Sequence, residues 1–435
     1  VTDALDVYLY GNLAATLNSR GPSDYALSYR REWQEAAGAV PVSLSLPLAQ
    51  QEHRGRAVFD FVDNLLPDSA GLREEWARQS GLLDAEVFGL LSVRGADVAG
   101  ALEFYPVGET ARQAGSLRPI SESEIAARIR AIRENRPIPT GDGLEPGQFS
   151  LGGAQDKFAL AHREGQWFEP TGTFPSTHIF KPQVAGLLDA EIVEHVTMTA
   201  LSILGLPAAE TTIAEFDGEH SLQVTRFDRF DHDGVVSRIH QEDLTQALGV
   251  PRLRKYERDG GPGYRQIFAI LDRIPDPDAA AVAKTRFVRS LIFSWFVLNT
   301  DAHAKNFSIR LLPDAVGFAP LYDVSSFLPY VRPRDEGQGG LLHAFDGTKL
   351  SMRVADSYEA GSIGAFEWQA ITRDARGDAG ATLAWARDLV SVAPAVFDAV
   401  ANSMPRRFRT DVVGFLLERI AIRAEQVGQI LASSL

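Results

Sequence analysis

The chain has 435 residues, 45% hydrophobic and 23% charged. These are values of an ordinary globular protein too long for one core, and they exclude disorder, collagen and coiled coil. Its 43 Lys and Arg against 57 Asp and Glu leave a net charge of −14, which argues against direct, charge-driven nucleic-acid binding but leaves open DNA reached through a basic partner. With no cysteine there is no disulfide framework, thiolate metal site or thiol nucleophile. Residues 1–6 lack the basic-then-apolar layout of a signal peptide, and the apolar run at 291–298 is too short to span a bilayer. The expectation is a soluble, cytoplasmic protein.

In chain order, residues 3–13 read as a hairpin strand turning at Gly11-Asn12. Residues 42–48 alternate strictly and read as a strand ending at Pro47. Helices are expected over 59–66 and 70–79, separated by a turn and cap at Pro67-Asp68-Ser69. Together these form an N-terminal β/α module over residues 1–106. Residues 107–147 are polar and hold several Gly and Pro, and read as a connector. It bears a helix at 121–133 that opens on the Ser121/Glu124 capping box.

From residue 148 a turn rich in small residues leads into strands at 158–162, 167–169 and 177–182. An amphipathic helix at 189–204 follows, stopped by Gly205 and Pro207, then strands at 211–216 and 221–227. The order is β-β-β-α-β-β. A long apolar helix is expected at 284–298, a strand at 307–312, a turn at 313–317, and a short strand ending at Leu321-Tyr322-Asp323. Residues 409–431 read as an amphipathic helix or helix pair. Trp33, Trp76 and Trp167 read as packing residues.

The chemistry concentrates after the apolar helix. Asp301 is followed five positions later by Asn306. That spacing suits a catalytic loop in which Asp accepts a hydroxyl proton and Asn holds Mg²⁺, an ion that favours oxygen ligands. The same spacing also arises by chance in a polar loop capping a helix. Chain order separates the two. Asp323 follows a strand–turn–strand, where kinases place a second metal-binding residue. Lys181 lies on the third strand, where kinases place the lysine that contacts nucleotide phosphates. The small-residue turn at 150–157 precedes that strand, where backbone N–H groups can cradle phosphate. It is neither G-x-G-x-x-G nor a Walker A loop.

The sequence resembles the HipA-type serine/threonine kinases, the toxins of bacterial type II toxin–antitoxin modules, over essentially its whole length. The most specific pieces are residues 150–157, Phe180-Lys181-Pro182, Arg226-Phe227-Asp228-Arg229, Gln241-Glu242-Asp243, Lys255-Tyr256-Glu257, residues 300–308 and Leu321-Tyr322-Asp323. Residues 260–263, 43–47 and 64–67 also match. The resemblance implies an α+β, protein-kinase-like two-lobed fold, with a β-rich nucleotide lobe at 148–230 and a helical catalytic lobe at 231–435.

It implies Asp301 as catalytic base, with Asn306 and Asp323 on Mg²⁺. Lys181 would contact the ATP phosphates, and Gly152, Gly153, Ala154, Gln155, Asp156 and Lys157 would cover them. Thr225, Arg226 and Phe227 would form the hinge at adenine, and His303, Ala304, Lys305 and Tyr322 would border the nucleotide. Ser150 matches the family's regulatory autophosphorylation position; phosphate there adds about −1.5 to −2 charge beside the ATP phosphates. Thr225 stands where many relatives carry Glu, a change of little consequence if the hinge bonds through main-chain atoms. Glu191 and Glu194 are equal candidates to pair with Lys181. His303 either orients Asp301 or the γ-phosphate, or is structural.

The implied activity is phosphorylation of an aminoacyl-tRNA synthetase, glutamyl-tRNA synthetase above all, which would block translation. The implied partner is a HipB-like helix-turn-helix antitoxin dimer, with operator DNA reached through it, and the acidic charge suits a basic partner. Two rivals remain: a catalytically silent kinase-like corepressor, and a small-molecule or lipid kinase suggested by the Asp-x-His order. The first has no need of Asp301, Asn306, Asp323 and Lys181, which are all present. A lipid kinase would want a basic amphipathic face, which is missing.

Overall fold

A computed structural model describes residues 3–108, 115–138, 150, 152–153, 155–184, 186–333 and 337–432. Ala154, the residues before Ser150 back to 139, and residues 109–114 of the connector lie outside the described residues. The chain divides into two compact units. The first comprises Val1–Pro182, Ala214–Leu253 and Ser308–Ala319, the second Gln183–Ile213, Arg254–Phe307 and Pro320–Leu435. Among the described residues no helix is long and apolar enough to cross a membrane.

The first unit holds two main sheets. In the N-terminal one, β1 (Ala4–Leu9), β2 (Asn12–Gly21), β3 (Asp24–Tyr29), β4 (Glu52–Arg54) and β5 (Leu102–Pro106) lie in the order β4-β3-β2-β1-β5. Leu5, Val7 and Leu9 alternate into the core, fully buried, as a period of two requires. The helix Ala70–Gln79 is capped by Ser69 as expected, and a helix at Arg56–Asp63 precedes it. Residues 42–48 are not a strand: only an isolated bridge joins Ser43 and Leu46. The buried carboxylate of Glu242 accepts hydrogen bonds from the Ser43 hydroxyl at 2.6 Å and the Leu44 N–H at 2.8 Å. This segment therefore bends around a carboxylate instead of pairing with a neighbour.

The second sheet contains β6 (Ser116–Pro119), β7 (Phe158–Arg163), β8 (Gln166–Thr171), β9 (His178–Lys181), β10 (Thr211–Phe216) and β11 (Glu219–Thr225), in the order β10-β11-β9-β7-β8-β6. With the helix Ala190–Ile203 between β9 and β10, the expected β-β-β-α-β-β order is present. The connector does more than link. It supplies the edge strand β6, paired antiparallel with β8, and the helix Glu122–Arg133 with its Ser121/Glu124 capping box. Ile125 and Ile129 of that helix pack with Phe158, Leu160, Phe180 and Phe216 on one face of the sheet. A small sheet completes the unit: Gln241–Asp243 pairs with Ser308–Leu312, which pairs with Ala315–Phe318.

In the second unit the apolar helix begins earlier than its hydrophobic pattern, at Pro277. Asp276 accepts the N–H of Asp278 and Pro277 takes the first turn, where a missing N–H costs nothing. The helix Pro277–Phe296 delivers Trp295 against Trp368, ring centroids 5.6 Å apart. The fully buried Arg423 stacks over Trp295 and donates to its carbonyl at 3.2 Å. Residues 409–431 resolve as one helix, Asp411–Ala432, packed beside Ala379–Ser403. The short strand expected to end at Asp323 ends instead at Phe318; Leu321 makes only an isolated bridge with Ala208.

His240 gives the fold a pH dependence. It is fully buried; Nε2 lies 3.1 Å from the Val42 carbonyl and Nδ1 accepts from the Ala101 N–H at 3.5 Å. A proton on Nδ1 would face another donor. Burial pushes its pKa down to about 4, and His178 and His195 are likewise pushed down to about 4. The unfolded chain binds these protons below about pH 6.5, the folded chain only near 4, so stability is full above 6.5 and declines as pH falls toward 4. Between pH 7 and 5 each histidine is expected to remove on the order of 2 kcal/mol. Urea unfolding at the two pH values, with His240→Gln flattening the decline, measures it.

Candidate active site

The first unit carries Lys181 and the residues expected to form the phosphate loop and the hinge. Phe158 of β7 and Phe180 of β9 stack at 4.8 Å on the face covered by the helix Glu122–Arg133. Successive strand side chains point to opposite faces, so Lys181, next to Phe180, leaves from the other face. It is buried at 6% exposure. In the loop, Gly153 has φ +118°, a conformation that favours glycine. Lys157 Nζ donates to the Gly152 carbonyl at 2.9 Å, and Gln155 Nε2 donates to the Pro182 carbonyl at 3.0 Å, joining the loop to the end of β9. Asp156 is half-buried, and desolvation raises its carboxyl despite the nearby Lys157. Ser150 is fully buried; its hydroxyl donates to the Leu65 carbonyl at 2.9 Å.

At the expected hinge, Thr225 is the last residue of β11, opposite His178. The Arg226 N–H is donated to the Thr177 carbonyl at 2.9 Å. Its guanidinium lies in a buried cluster with Asp228, Asp97 and Ser176. Arg226 thus acts on the fold through its side chain, and its carbonyl accepts from the Arg229 N–H at 3.3 Å. The Phe227 carbonyl accepts from Arg310 Nη2 at 3.1 Å.

The second unit carries the loop expected to be catalytic. It begins where the buried helix Pro277–Phe296 stops and Leu298, fully buried, turns the chain at φ +51°, a strained conformation for a branched residue. The Asp301 side chain is 60% exposed. Its N–H is donated to Asn299 Oδ1 at 3.2 Å, and its carbonyl accepts from the His303 N–H at 2.8 Å and from Asn306 Nδ2 at 3.0 Å. The short helical turn Ala304–Asn306 brings Asn306 back to Asp301. Sequence spacing and geometry agree here because the whole loop is local.

One carboxylate partner was not assigned a role from sequence. The Tyr256 hydroxyl donates to Asp301 Oδ1 at 2.6 Å, and its ring meets His303 edge-on at 4.8 Å. The only signal for it was the Lys255-Tyr256-Glu257 match. His303 is buried, with Nε2 3.8 Å from Asp301 Oδ1. Burial lowers its pKa below the usual histidine value, partly offset by Asp301, so it is neutral at pH 7. Lys305 is buried, and its carbonyl accepts from the Tyr322 hydroxyl at 2.9 Å. Ala304 is fully buried.

Asn306 and Asp323 line one small cavity with Asn299 and Ala302. Asp323 sits at φ +61°, which a short polar side chain tolerates. Because Asn306 spends its Nδ2 on Asp301, its Oδ1 remains to face a cation. A carboxylate and an amide oxygen are the donors a hard divalent ion takes. Among the described residues no group of three or more His, Asp or Glu gathers as a metal cage. Glu191 and Glu194, on the helix Ala190–Ile203, are both buried, at 2% and 7% exposure. Burial therefore does not choose between them.

Comparison with known proteins agrees along the chain. A family model of the HipA-like C-terminal domain matches residues 149–404, and one of the HipA N-terminal domain matches residues 5–105. Protein Y4mE of Sinorhizobium fredii is 33% identical over 380 residues, covering 85% of each chain. The serine/threonine-protein kinase toxin HipA of Shewanella oneidensis is 30% identical over 380 residues, covering 84% of this chain and 82% of its own. A solved structure of Shewanella oneidensis HipA with HipB and its operator DNA matches with a TM-score of 0.81 at 25% identity, over 99% of this chain and 98% of that one. With the two family models matching residues 5–105 and 149–404 and a kinase relative 30% identical over most of its length, the chain belongs to the HipA family of serine/threonine kinases.

Proposed function

We propose that this chain is a toxin kinase that transfers the γ-phosphate of ATP to a serine or threonine hydroxyl of a protein. The observation that carries the reading is Asp301: an exposed carboxylate held by Tyr256 at its side chain and by Asn306 and His303 at its main chain. The substrate hydroxyl oxygen bonds to the γ-phosphorus, the bond to the bridging oxygen of ADP breaks, and Asp301 takes the hydroxyl proton. Asn306 and Asp323 would hold Mg²⁺, which when bound neutralises phosphate charge. In the first unit Lys181 and residues 152–157 would bind the ATP phosphates, and Thr225, Arg226 and Phe227 would meet adenine. Ala304, Lys305 and Tyr322 would border the nucleotide.

An aminoacyl-tRNA synthetase is the proposed substrate, with Ser150 as a site of self-inactivating phosphorylation. A small basic HipB-like antitoxin, and operator DNA through it, are the proposed partners. The Shewanella HipA structure with HipB and operator DNA supports that reading. Incubation of the purified chain with γ-labelled ATP and Mg²⁺, alone and with purified synthetases, tests it. Label is expected on Ser150 and on one synthetase, glutamyl-tRNA synthetase first. Absence of any transfer from unphosphorylated protein would overturn the kinase reading; label on Ser150 alone would overturn the synthetase.

A further inference from the structure

The phosphate loop is held largely by residues outside it. The Ser150 hydroxyl donates to the Leu65 carbonyl at 2.9 Å and the Ser150 N–H to the Asp97 carbonyl at 2.9 Å. The Asp68 N–H donates to the Gly153 carbonyl at 2.9 Å, and Pro67 and Gly153 form a parallel bridge. Every one of these partners belongs to the N-terminal β/α module, far from the loop in sequence.

The segment supplying them is itself pinned by buried charge. The Asp63 carboxylate accepts from Arg73 Nη1 at 2.6 Å and from Arg252 Nε at 2.9 Å. Arg73 Nε also donates to the Pro67 carbonyl at 2.6 Å, and Arg252 Nη1 to the Asp68 carbonyl at 2.9 Å. Asn64 donates to the Val250 carbonyl at 3.0 Å and accepts from Thr245 Oγ1 at 3.2 Å. Arg73, Asp63 and Asn64 are all buried. The residues just before the loop anchors are thus tied down, and the Leu65 carbonyl and Asp68 N–H reach the loop from a fixed base.

We infer that the Asp63–Arg73–Arg252 cluster is a latch: it positions residues 65–68 so that the phosphate loop is seated for ATP and Ser150 is sheltered from phosphorylation. This rests on the kinase reading for its consequence in turnover, but the latch itself is a property of the fold. Arg252 is its adjustable part. Its side chain is 18% exposed, against 7% for Arg73 and 9% for Asp63, and it ties Asp63 to the Asp68 carbonyl. A positioning residue of this kind touches neither ATP nor the transferred phosphate.

The test is Arg252→Gln in the full chain, read first by hydrogen exchange. The amides of Ser150 and Asp68 are expected to exchange about tenfold faster than in the wild type, with the β1–β5 sheet unchanged. The KM for ATP should rise about fivefold with kcat within about twofold, because seating the phosphates is lost and chemistry is not. As a target for added wild-type enzyme, the Arg252→Gln chain also carrying Asp301→Asn should be labelled at Ser150 several-fold faster than the Asp301→Asn chain. Arg252→Lys, which keeps the positive charge beside Asp63, should restore part of the protection. Unchanged exchange at the two amides, or exchange raised equally across the whole first unit, would overturn the latch. If the wild-type chain transfers no phosphate, the kinase reading fails and the two amides decide the latch by themselves.

Discussion

Replacing Asp301 by Asn is expected to lower kcat for phosphate transfer by about 10³, the upper part of the range for losing a general base. Asn keeps the shape and can still accept the Tyr256 hydroxyl, but it cannot take a proton. The side chain is 60% exposed and the loop is held by its main chain through Asn306, His303 and Asn299, so the melting midpoint should not move. His303 offers no substitute. It is buried, which lowers its basicity, and removing the Asp301 charge takes away an influence that raises it. Initial rates with labelled ATP across pH 6 to 9, set beside a thermal melt, measure the effect. A variant retaining more than about a tenth of the wild-type rate would remove Asp301 from the role of base.

The largest stability effect is expected at Asp97, which lies in the first unit and touches no proposed substrate. Its carboxylate is fully buried and accepts from Ser176 Oγ at 2.6 Å, the Ser176 N–H at 3.0 Å and Arg229 Nη2 at 2.8 Å, with Arg226 at 3.5 Å. Burial alone would push the carboxyl up. Arg226, Arg229, Arg238 and Ser176 overcome that and hold it below the usual aspartate value. Asp228 is likewise held down, its burial outweighed by Arg226 and Arg229. Asp97→Asn preserves volume but leaves three buried or nearly buried guanidinium groups with one charge fewer to face. Uncompensated buried charge of this kind costs about 3–5 kcal/mol. Denaturant unfolding should show a loss of that size. A loss under about 1 kcal/mol would mean the cluster rearranges or takes up water instead.

The strands of the six-stranded sheet and the helix Ala70–Gln79 were legible because their signals are local: alternation of period two, a Ser cap, a Gly-Pro stop. So was the main-chain frame of the loop at Asp301, whose partners Asn299, His303 and Asn306 lie within five residues. Residues 42–48 alternate as cleanly as a strand, yet the chain bends there. The deciding group, Glu242, is about 200 positions away in sequence and satisfies the backbone that a neighbouring strand would have paired. The connector helix was visible from its capping box, but not its burial against Phe158 and Phe180. Tyr256 carries no chemistry of its own until the fold sets its hydroxyl on Asp301. Arg226 stood in a hinge motif, and only its surroundings reveal a buried ion cluster.

What the sequence by itself determined is the inventory and its order. It supplied oxygen and nitrogen chemistry in a chain without cysteine, a lysine on the third strand, and an Asp and Asn five apart after an apolar helix. These are properties of neighbouring residues, which the backbone period and the caps translate directly into position. What the tertiary structure decided is which groups are buried together and hence charged, neutral or held. His303 is neutral because it is desolvated, Asp97 ionised because three guanidinium groups surround it, and Ser150 sheltered because Leu65 and Asp97 reach it from the N-terminal module. Burial and long-range pairing depend on residues distant in the chain, and no local pattern encodes them.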